Sequence, residues 1–450
     1  MSVLFYLNKN LNLMILFVVI CTILILVLLI AWAKVNTLIA FLTSSILGAI
    51  LLGIPVDKIP LSIEKGLGNM LGSLAIIVVL GAMFGKLVSE SVAAQKITDV
   101  LMRTFGKKYI SWAMMLTGFV VGIPLFYNVG FVLLVPLIFS VAHQYKLPVV
   151  YIGISLLAAL SVTHGYLPPH PSPAALVPML GASMGKTLLL GLVVAIPSMI
   201  LAGPVFAKTL RTIPSHPLET FTAAIKPVDK LPGTFISFFT PLLPVILIAL
   251  SVFLPQLSTG NKQLTSAFLF IANPMIVLLI ALLYATYSLG LKQGIPLKEI
   301  MTFYSEAIKD ISVILMIVGG AGILKQVFVD SGVNNDIARM LLGLHVNPLL
   351  LGWLIAMAIR VAVGSATVAG LTAAGIVAPL VVATGVNPNL MVLSIGAGSL
   401  MLSHVNDSGF WMFKEYFNLS LKDTIRSWTV MESIVGSIGI IIILLLEKVV

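Results

Sequence analysis

Two stretches decide the fold: Ser161-Val162-Thr163-His164-Gly165-Tyr166-Leu167-Pro168-Pro169-His170-Pro171 and Ser403-His404-Val405-Asn406-Asp407. Each cuts into a largely apolar run, Leu156 to Leu160 in the first case and Met391 to Leu402 in the second. At membrane depth, polar backbone and ionisable side chains are tolerated only when buried in protein or lining a watery cavity. Two such breaks at corresponding places point to a transporter binding site.

Working outward, 59% of the 450 residues are hydrophobic and 9% are charged, too little polar surface for a water-soluble chain of this length. The fold class is therefore an all-α polytopic membrane protein. Apolar stretches recur from residue 13 to residue 446. Several reach the roughly 20 residues that a spanning helix needs and several fall short, a mixture that suits full spans interleaved with hairpins or half-helices. The net charge of +10 is scattered singly through loops, with no basic run interleaved with aromatics, which argues against a nucleic-acid partner. Lys208, Arg211, Lys226 and Lys230 outnumber Glu219 and Asp229 in the longest polar connection, which is expected on the cytoplasmic side. Cys21 stands alone, so no intramolecular disulfide forms. Ala31-Trp32-Ala33 imitates a signal-peptidase site, but the apolar run before it exceeds the roughly 7–15 residues of a cleavable segment. The first helix is expected to be retained.

The chain divides into an N-terminal transmembrane half (1–207), a polar connection (208–233) and a C-terminal transmembrane half (234–450). The halves echo each other at an offset of roughly 240 residues, as secondary transporters do. Gly81-Ala82-Met83-Phe84-Gly85-Lys86 is answered by Gly320-Ala321-Gly322-Ile323-Leu324-Lys325, Glu90-Ser91 by Asp330-Ser331, and Ile97 by Ile337. Gly122 leads to Pro136 as Gly364 leads to Pro379, and Thr163-His164 matches Ser403-His404. This gives repeats of about 62–207 and 305–450. Whether they run parallel or inverted depends on the parity of crossings between them, which the short segments leave open.

Four prolines in six residues, from Pro168 to Pro173, forbid a continued helix. The segment is either a surface loop or, since nothing charged occurs between Lys146 and Lys186, a re-entrant stretch lining a cavity. His164, His170 and His404 read as hydrogen-bonded core residues or as groups that handle substrate or protons. Asp407 follows a long apolar run and reads as a proton carrier at membrane depth or as a helix cap beside Asn406. Arg360, within Ala356 to Val363, suits a carboxylate ligand or else snorkels from a helix end. Gly364-Ser365-Ala366-Thr367 and Phe126-Tyr127-Asn128-Val129-Gly130 combine small residues with hydrogen-bonding groups and could let backbone approach a ligand, although Gly364 to Gly370 also suits helix packing. Glu306, Lys309 and Asp310 look first like polar residues at a helix entrance. Gly181 to Thr187 lacks the first glycine of a P-loop, Leu180 standing in its place. His164 and His170 lack the company of a zinc site. No metal and no cofactor beyond a coupling proton is expected.

Ser161 to Pro171, Gly364-Ser365-Ala366-Thr367-Val368-Ala369 and Ser403-His404-Val405-Asn406-Asp407-Ser408-Gly409-Phe410-Trp411, extended by Lys414-Glu415-Tyr416-Phe417-Asn418-Leu419, resemble the gluconate:proton symporter family over essentially the whole chain. The resemblance implies a multi-pass protein of the bacterial inner membrane in the ion transporter superfamily. It implies inverted repeats, each with a re-entrant hairpin and a broken helix, and a transport domain moving against a scaffold. It would put Asn128 and Ser365 to Thr367 at hairpin tips, and Thr163-His164 and Ser403-His404 at helix breaks. Family members often carry glutamate where this chain has Asn128, so coupling here would rest on Asp407 or a histidine.

The expected function is proton-coupled uptake of gluconate or a closely related sugar acid by alternating access. Its alternatives are a same-family permease for glycerate, another aldonate or D-serine, a membrane-embedded enzyme using His164, His404 and Asp407, and a passive anion channel. Substrate binding is expected from Asn128, Ser161, Thr163, His164, His170, Arg360, Gly364, Ser365, Thr367, Ser403, His404 and Asn406. Proton handling is expected from Asp407 with His164 or His404. Partners are a small anion such as gluconate and membrane lipid, with a homo-oligomer left open. The second half is expected to handle charge and the first to shape the pocket.

Overall fold

The computed structural model describes residues 17–30, 32–125, 127–215, 231–253, 262–271, 273–333, 343, 345–405 and 407–450. Among them every regular element is helical. The first half comprises α1 (Phe17–Ile30), α2 (Thr37–Leu51), α3 (Ile59–Glu90), α4 (Ala93–Phe105), α5 (Ile110–Gly122), α6 (Tyr127–Tyr145), α7 (Val149–Tyr166), α8 (Pro171–Leu180) and α9 (Met184–Ile200). The second comprises α10 (Thr234–Phe253), α11 (Lys262–Ile271), α12 (Pro274–Ala285), α13 (Leu297–Asp330), α14 (Pro348–Val363), α15 (Ala366–Thr384), α16 (Pro388–Leu400), α17 (Ser408–Tyr416) and α18 (Val430–Leu446). Residues 216–230 of the polar connection, and Ile337 of the repeat landmarks, lie outside the described residues.

Local sequence sets the helix boundaries. Asn273-Pro274, Asn347-Pro348 and Asn387-Pro388 each start a helix the same way. The asparagine Oδ1 accepts the amide of Met275, Leu349 or Asn389 at 2.8 to 3.0 Å, and proline fills the next position, where no amide is needed. Such a cap stabilises a helix by about 1 kcal/mol. Between α7 and α8, Pro168 and Pro169 withhold two backbone donors, and helix stops until Pro171. Between α16 and α17 the helix ends at Leu400 and resumes at Ser408.

Among the described residues, six helical segments are long and apolar enough to cross a membrane, or seven if the bent helix from Val56 to Glu90 is counted as one. Exposed Leu28, Leu47, Phe270, Leu283, Val313 and Leu445 give the molecule the apolar exterior that lipid solvates. This is a multi-pass membrane protein.

The packing of helices repeats itself. α2 lies on α13 and α12 on α3; α5 packs on α7 and α14 on α16; α6 packs on α7 and α15 on α16; α7 packs on α9 and α16 on α18. Three equivalent helices also meet their own counterparts: α3 with α13, α7 with α16, α9 with α18. The contact between α3 and α13 fixes the parity that composition left open. Ser62 donates to Asp330 Oδ2 at 2.6 Å near one end, Gly66 meets Gly322 further along, and Lys86 pairs with Glu306 at 3.1 Å near the other. Equivalent helices thus run antiparallel, so the axis relating them is perpendicular to their length and the repeats are inverted. Gly66 and Gly322 allow this approach; a methyl group on either would meet backbone or side-chain atoms of the other helix.

Two packed groups result. One contains α2, α3, α12 and α13. The other contains α5 to α9 and α14 to α18, and it meets the first where α13 touches α15 and α3 touches α8.

Candidate functional site

In each repeat a helical pair with a tight connection is followed by a broken helix. The first pair is α5 and α6, with α5 ending at Gly122 and α6 starting at Tyr127; the second is α14 and α15, joined at Gly364 and Ser365. Gly364 adopts φ 80°, the left-handed conformation that ends α14 without a steric penalty, and Ser365 caps α15 by accepting the Val368 amide at 3.4 Å. The broken helices are α7 with α8 and α16 with α17. The consequence is that four helices start close to one another: α6 at Tyr127, α8 at Pro171, α15 at Ala366 and α17 at Ser408.

These four beginnings border one cavity of about 260 Å³. Tyr127, Pro171, the segment Gly364 to Thr367 and the segment Asp407 to Gly409 line it, with Ser161 and His164 from α7 and Arg360 from α14. Trp428 and Glu432 close another wall, and Asp310, Ile311, Ile314 and Ile317 of α13 bring the other helix group to its edge. Helix N-termini carry unpaired amides and the positive end of the helix dipole, so their convergence favours an anion.

Arg360 sits in the last turn of α14 and is 4% exposed. It is an inward-facing cation and does not snorkel. Its Nη2 donates to Asp407 Oδ2, while Nε and Nη1 have no partner among the described residues. Asp407 is the N-cap of α17, its Oδ1 accepting the Gly409 amide at 2.9 Å. Its Oδ2 also accepts from Ser403 Oγ, which in turn accepts Trp428 Nε1 at 2.7 Å. The cap and the buried charge are therefore the same residue. Thr429 Oγ1 donates to the Ser403 carbonyl at 2.5 Å and helps anchor the break.

Two more buried polar atoms on the wall, Tyr127 Oη and His164 Nδ1, have no partner among the described residues. Buried polar groups are normally satisfied, and a cluster of unsatisfied ones beside the remaining donors of Arg360 suits a polar ligand. The Tyr127 ring centre lies 6.0 Å from that of His164 and 5.9 Å from that of Trp428.

Of the residues singled out from sequence, Ser161, His164, Arg360, Gly364, Ser365, Thr367 and Asp407 share this cavity. Ser403 stands behind Asp407. Thr163 is buried, with its hydroxyl donating to the Leu160 carbonyl at 2.9 Å. His170 hydrogen-bonds the Gly122 carbonyl at 2.9 Å and borders a separate small cavity beside Phe84 and Pro124. His404 is half-buried and hydrogen-bonds the Val361 carbonyl at 3.1 Å. Asn128 opens α6, but its side chain lies outside the described residues, as does Asn406 altogether.

Sequence reasoning passed over Glu432 and Trp428 and gave Asp310 only a minor part. The signal for Glu432 was present: it is a carboxylate inside the last long apolar run, where ionisable residues are functional by default. It is 3% exposed, and Ser161 Oγ donates to its Oε2 at 2.8 Å.

A model of the GntP family permeases matches residues 13–449. The "High-affinity gluconate transporter" of Escherichia coli (strain K12) is 44% identical over 93% of this chain and 95% of its own length. The "Gnt-II system L-idonate transporter" of the same strain is 41% identical over 92% of this chain and 95% of its own. Among solved structures, the YdaH transporter of Alcanivorax borkumensis matches with a TM-score of 0.69 at 16% identity, over 90% of this chain and 96% of that one, a likeness of fold.

Proposed function

This chain belongs to the GntP permease family, and from that premise we propose that it takes up gluconate or a closely related sugar acid with protons, by alternating access, across a bacterial inner membrane. The observation that carries the substrate class is Arg360, a buried guanidinium with two nitrogens that have no partner among the described residues, on a cavity where four helices begin. A planar donor fork in that setting suits the substrate carboxylate. Tyr127 Oη, His164 Nδ1, Ser161, Ser365 and Thr367 then face the hydroxyls. Asp407 holds Arg360 in register from the opposite side of the helix break.

Proton coupling falls to a titratable group of this cavity, and Asp407 and His164 are the two that sequence singled out and that line it. A proton bound with the anion lowers the electrostatic cost of bringing a negative charge into a buried site. Release of that proton on the less acidic side then favours release of the anion. The alternating-access part of the reading is supported by the arrangement of the two helix groups, whose boundary passes beside the cavity at α13 and α15.

A second reading, a permease for another aldonate, is favoured by the comparable identity of the L-idonate transporter. Both are tested by uptake of labelled gluconate into cells lacking their own permease, with a competitor panel and a protonophore. Uptake that the protonophore abolishes and gluconate outcompetes is expected. Uptake undiminished by the protonophore would remove proton coupling, and failure of gluconate to compete would shift the substrate to the aldonate that does.

A further inference from the structure

We infer that Glu432 is the group that carries the coupled proton. The inference rests on the sugar-acid uptake proposed above and names the residue that uptake requires. Glu432 lies in the first turn of α18, directly after a π-helical turn from Ile425 to Thr429 that also presents Trp428 to the cavity. It lines the same cavity as Arg360, yet it forms no ion pair with it; the partner of Arg360 is Asp407.

The charges make the case. Arg360 and Asp407 cancel each other in a hydrogen-bonded pair. Both oxygens of Asp407 are engaged, one by the guanidinium and the Ser403 hydroxyl, the other by the Gly409 amide. That carboxylate is committed to holding the cation in place. Glu432 is the buried carboxylate left over. Its Oε2 has the Ser161 hydroxyl, and its Oε1 takes no hydrogen bond among the described residues.

An anionic substrate entering beside an ionised Glu432 would put two uncompensated negative charges in one buried cavity, which is costly. One proton added to the Glu432 carboxylate removes its charge and gives the wall a donor for a substrate hydroxyl. One proton therefore accompanies one carboxylate, and no bond other than O–H forms or breaks. The groups facing Glu432 around the cavity are Ser161 and His164 of α7, Tyr127 of α6, Arg360 of α14, Asp407 at the second break, Trp428 before α18 and Asp310 of α13. Protonating His164 instead would leave Glu432 ionised beside the anion and so keep more charges buried in the cavity than protonating the carboxylate itself. Asp310 is exposed at the edge, where solvent stabilises its charge.

The test uses the full chain purified into proteoliposomes with labelled gluconate in two assays: counterflow at equal pH, and accumulation under an inwardly directed proton gradient. Wild type performs both. Glu432→Gln, which imitates the neutral acid, is expected to keep counterflow, lose its pH dependence and fail to accumulate, while Glu432→Asp regains accumulation. Accumulation by Glu432→Gln overturns the assignment. So does the absence of counterflow from both variants in protein that melts like wild type, since Glu432 would then be a substrate ligand. Should Glu432→Gln not fold, Glu432→Asp decides: a displaced pH profile of accumulation supports the assignment and an unchanged one overturns it. Failure of wild type to exchange gluconate would count against the sugar-acid reading alone, and the same pair of assays is then run with the best substrate of the competitor panel.

Discussion

The two helix breaks occupy equivalent places in inverted repeats and are closed by different chemistry. In the first repeat His170, which precedes α8, reaches the carbonyl of Gly122 at the end of α5. In the second, Asp407, which caps α17, reaches the guanidinium of Arg360 near the end of α14. Each link ties the start of the second part of a broken helix to the end of the preceding hairpin helix. The first is an imidazole on a backbone oxygen beside a small separate cavity, and the second is an ion pair on the wall of the main one. Duplication of a backbone thus supplies two frames, and only one of them has been given charge.

The comparison breaks most visibly at the charged link. Arg360→Ala is expected to abolish uptake and to destabilise the protein by about 3–5 kcal/mol, because it strands the buried Asp407 carboxylate. Adding Asp407→Ala to it is expected to restore part of the melting temperature and none of the uptake. A double variant as unstable as the single one would mean that the pair is not what couples these residues. At the neutral link, His170→Asn keeps a polar residue at the N-cap position of α8 but leaves the Gly122 carbonyl without its partner, a loss of about 1–3 kcal/mol. Its KM for the transported acid is expected to stay at the wild-type value, and a large rise would bring the first break into substrate binding. The smallest effect belongs to the cap of the second hairpin: Ser365→Ala should lower stability by about 1 kcal/mol, read as a small drop in melting temperature, with a modest rise in the KM for the transported acid because a hydroxyl of the cavity wall is lost.

Arg360, Asp407 and the paired breaks were legible in the sequence because charge and proline inside apolar runs are rare enough to stand out. The histidine match was less informative. His164 and His404 align in sequence, but α7 runs on to Tyr166 while α16 stops at Leu400, so one ring sits in a helical turn on the cavity and the other in the break, turned to the Val361 carbonyl. Repeat parity was hidden because helices as short as α8 and α17 do not reveal by length whether they cross. It emerged from Ser62 meeting Asp330 and Lys86 meeting Glu306, contacts between residues more than two hundred positions apart. Glu432 was overlooked because it has no sequence counterpart in the first repeat; its place in the site comes from α18 packing against α7.

The convergence of four helix starts has a consequence for how such a site can change over evolutionary time. An attraction built from backbone amides is written in the path of the chain, so it survives substitutions that would erase one built from lysines. Under the function proposed above, the other side chains of the wall would be free to drift and sort one polyol stereochemistry from another while Arg360 and the backbone's share of the hold on the acid end persist. A family with both a gluconate transporter and an L-idonate transporter among its members is the outcome such a division of labour would leave behind.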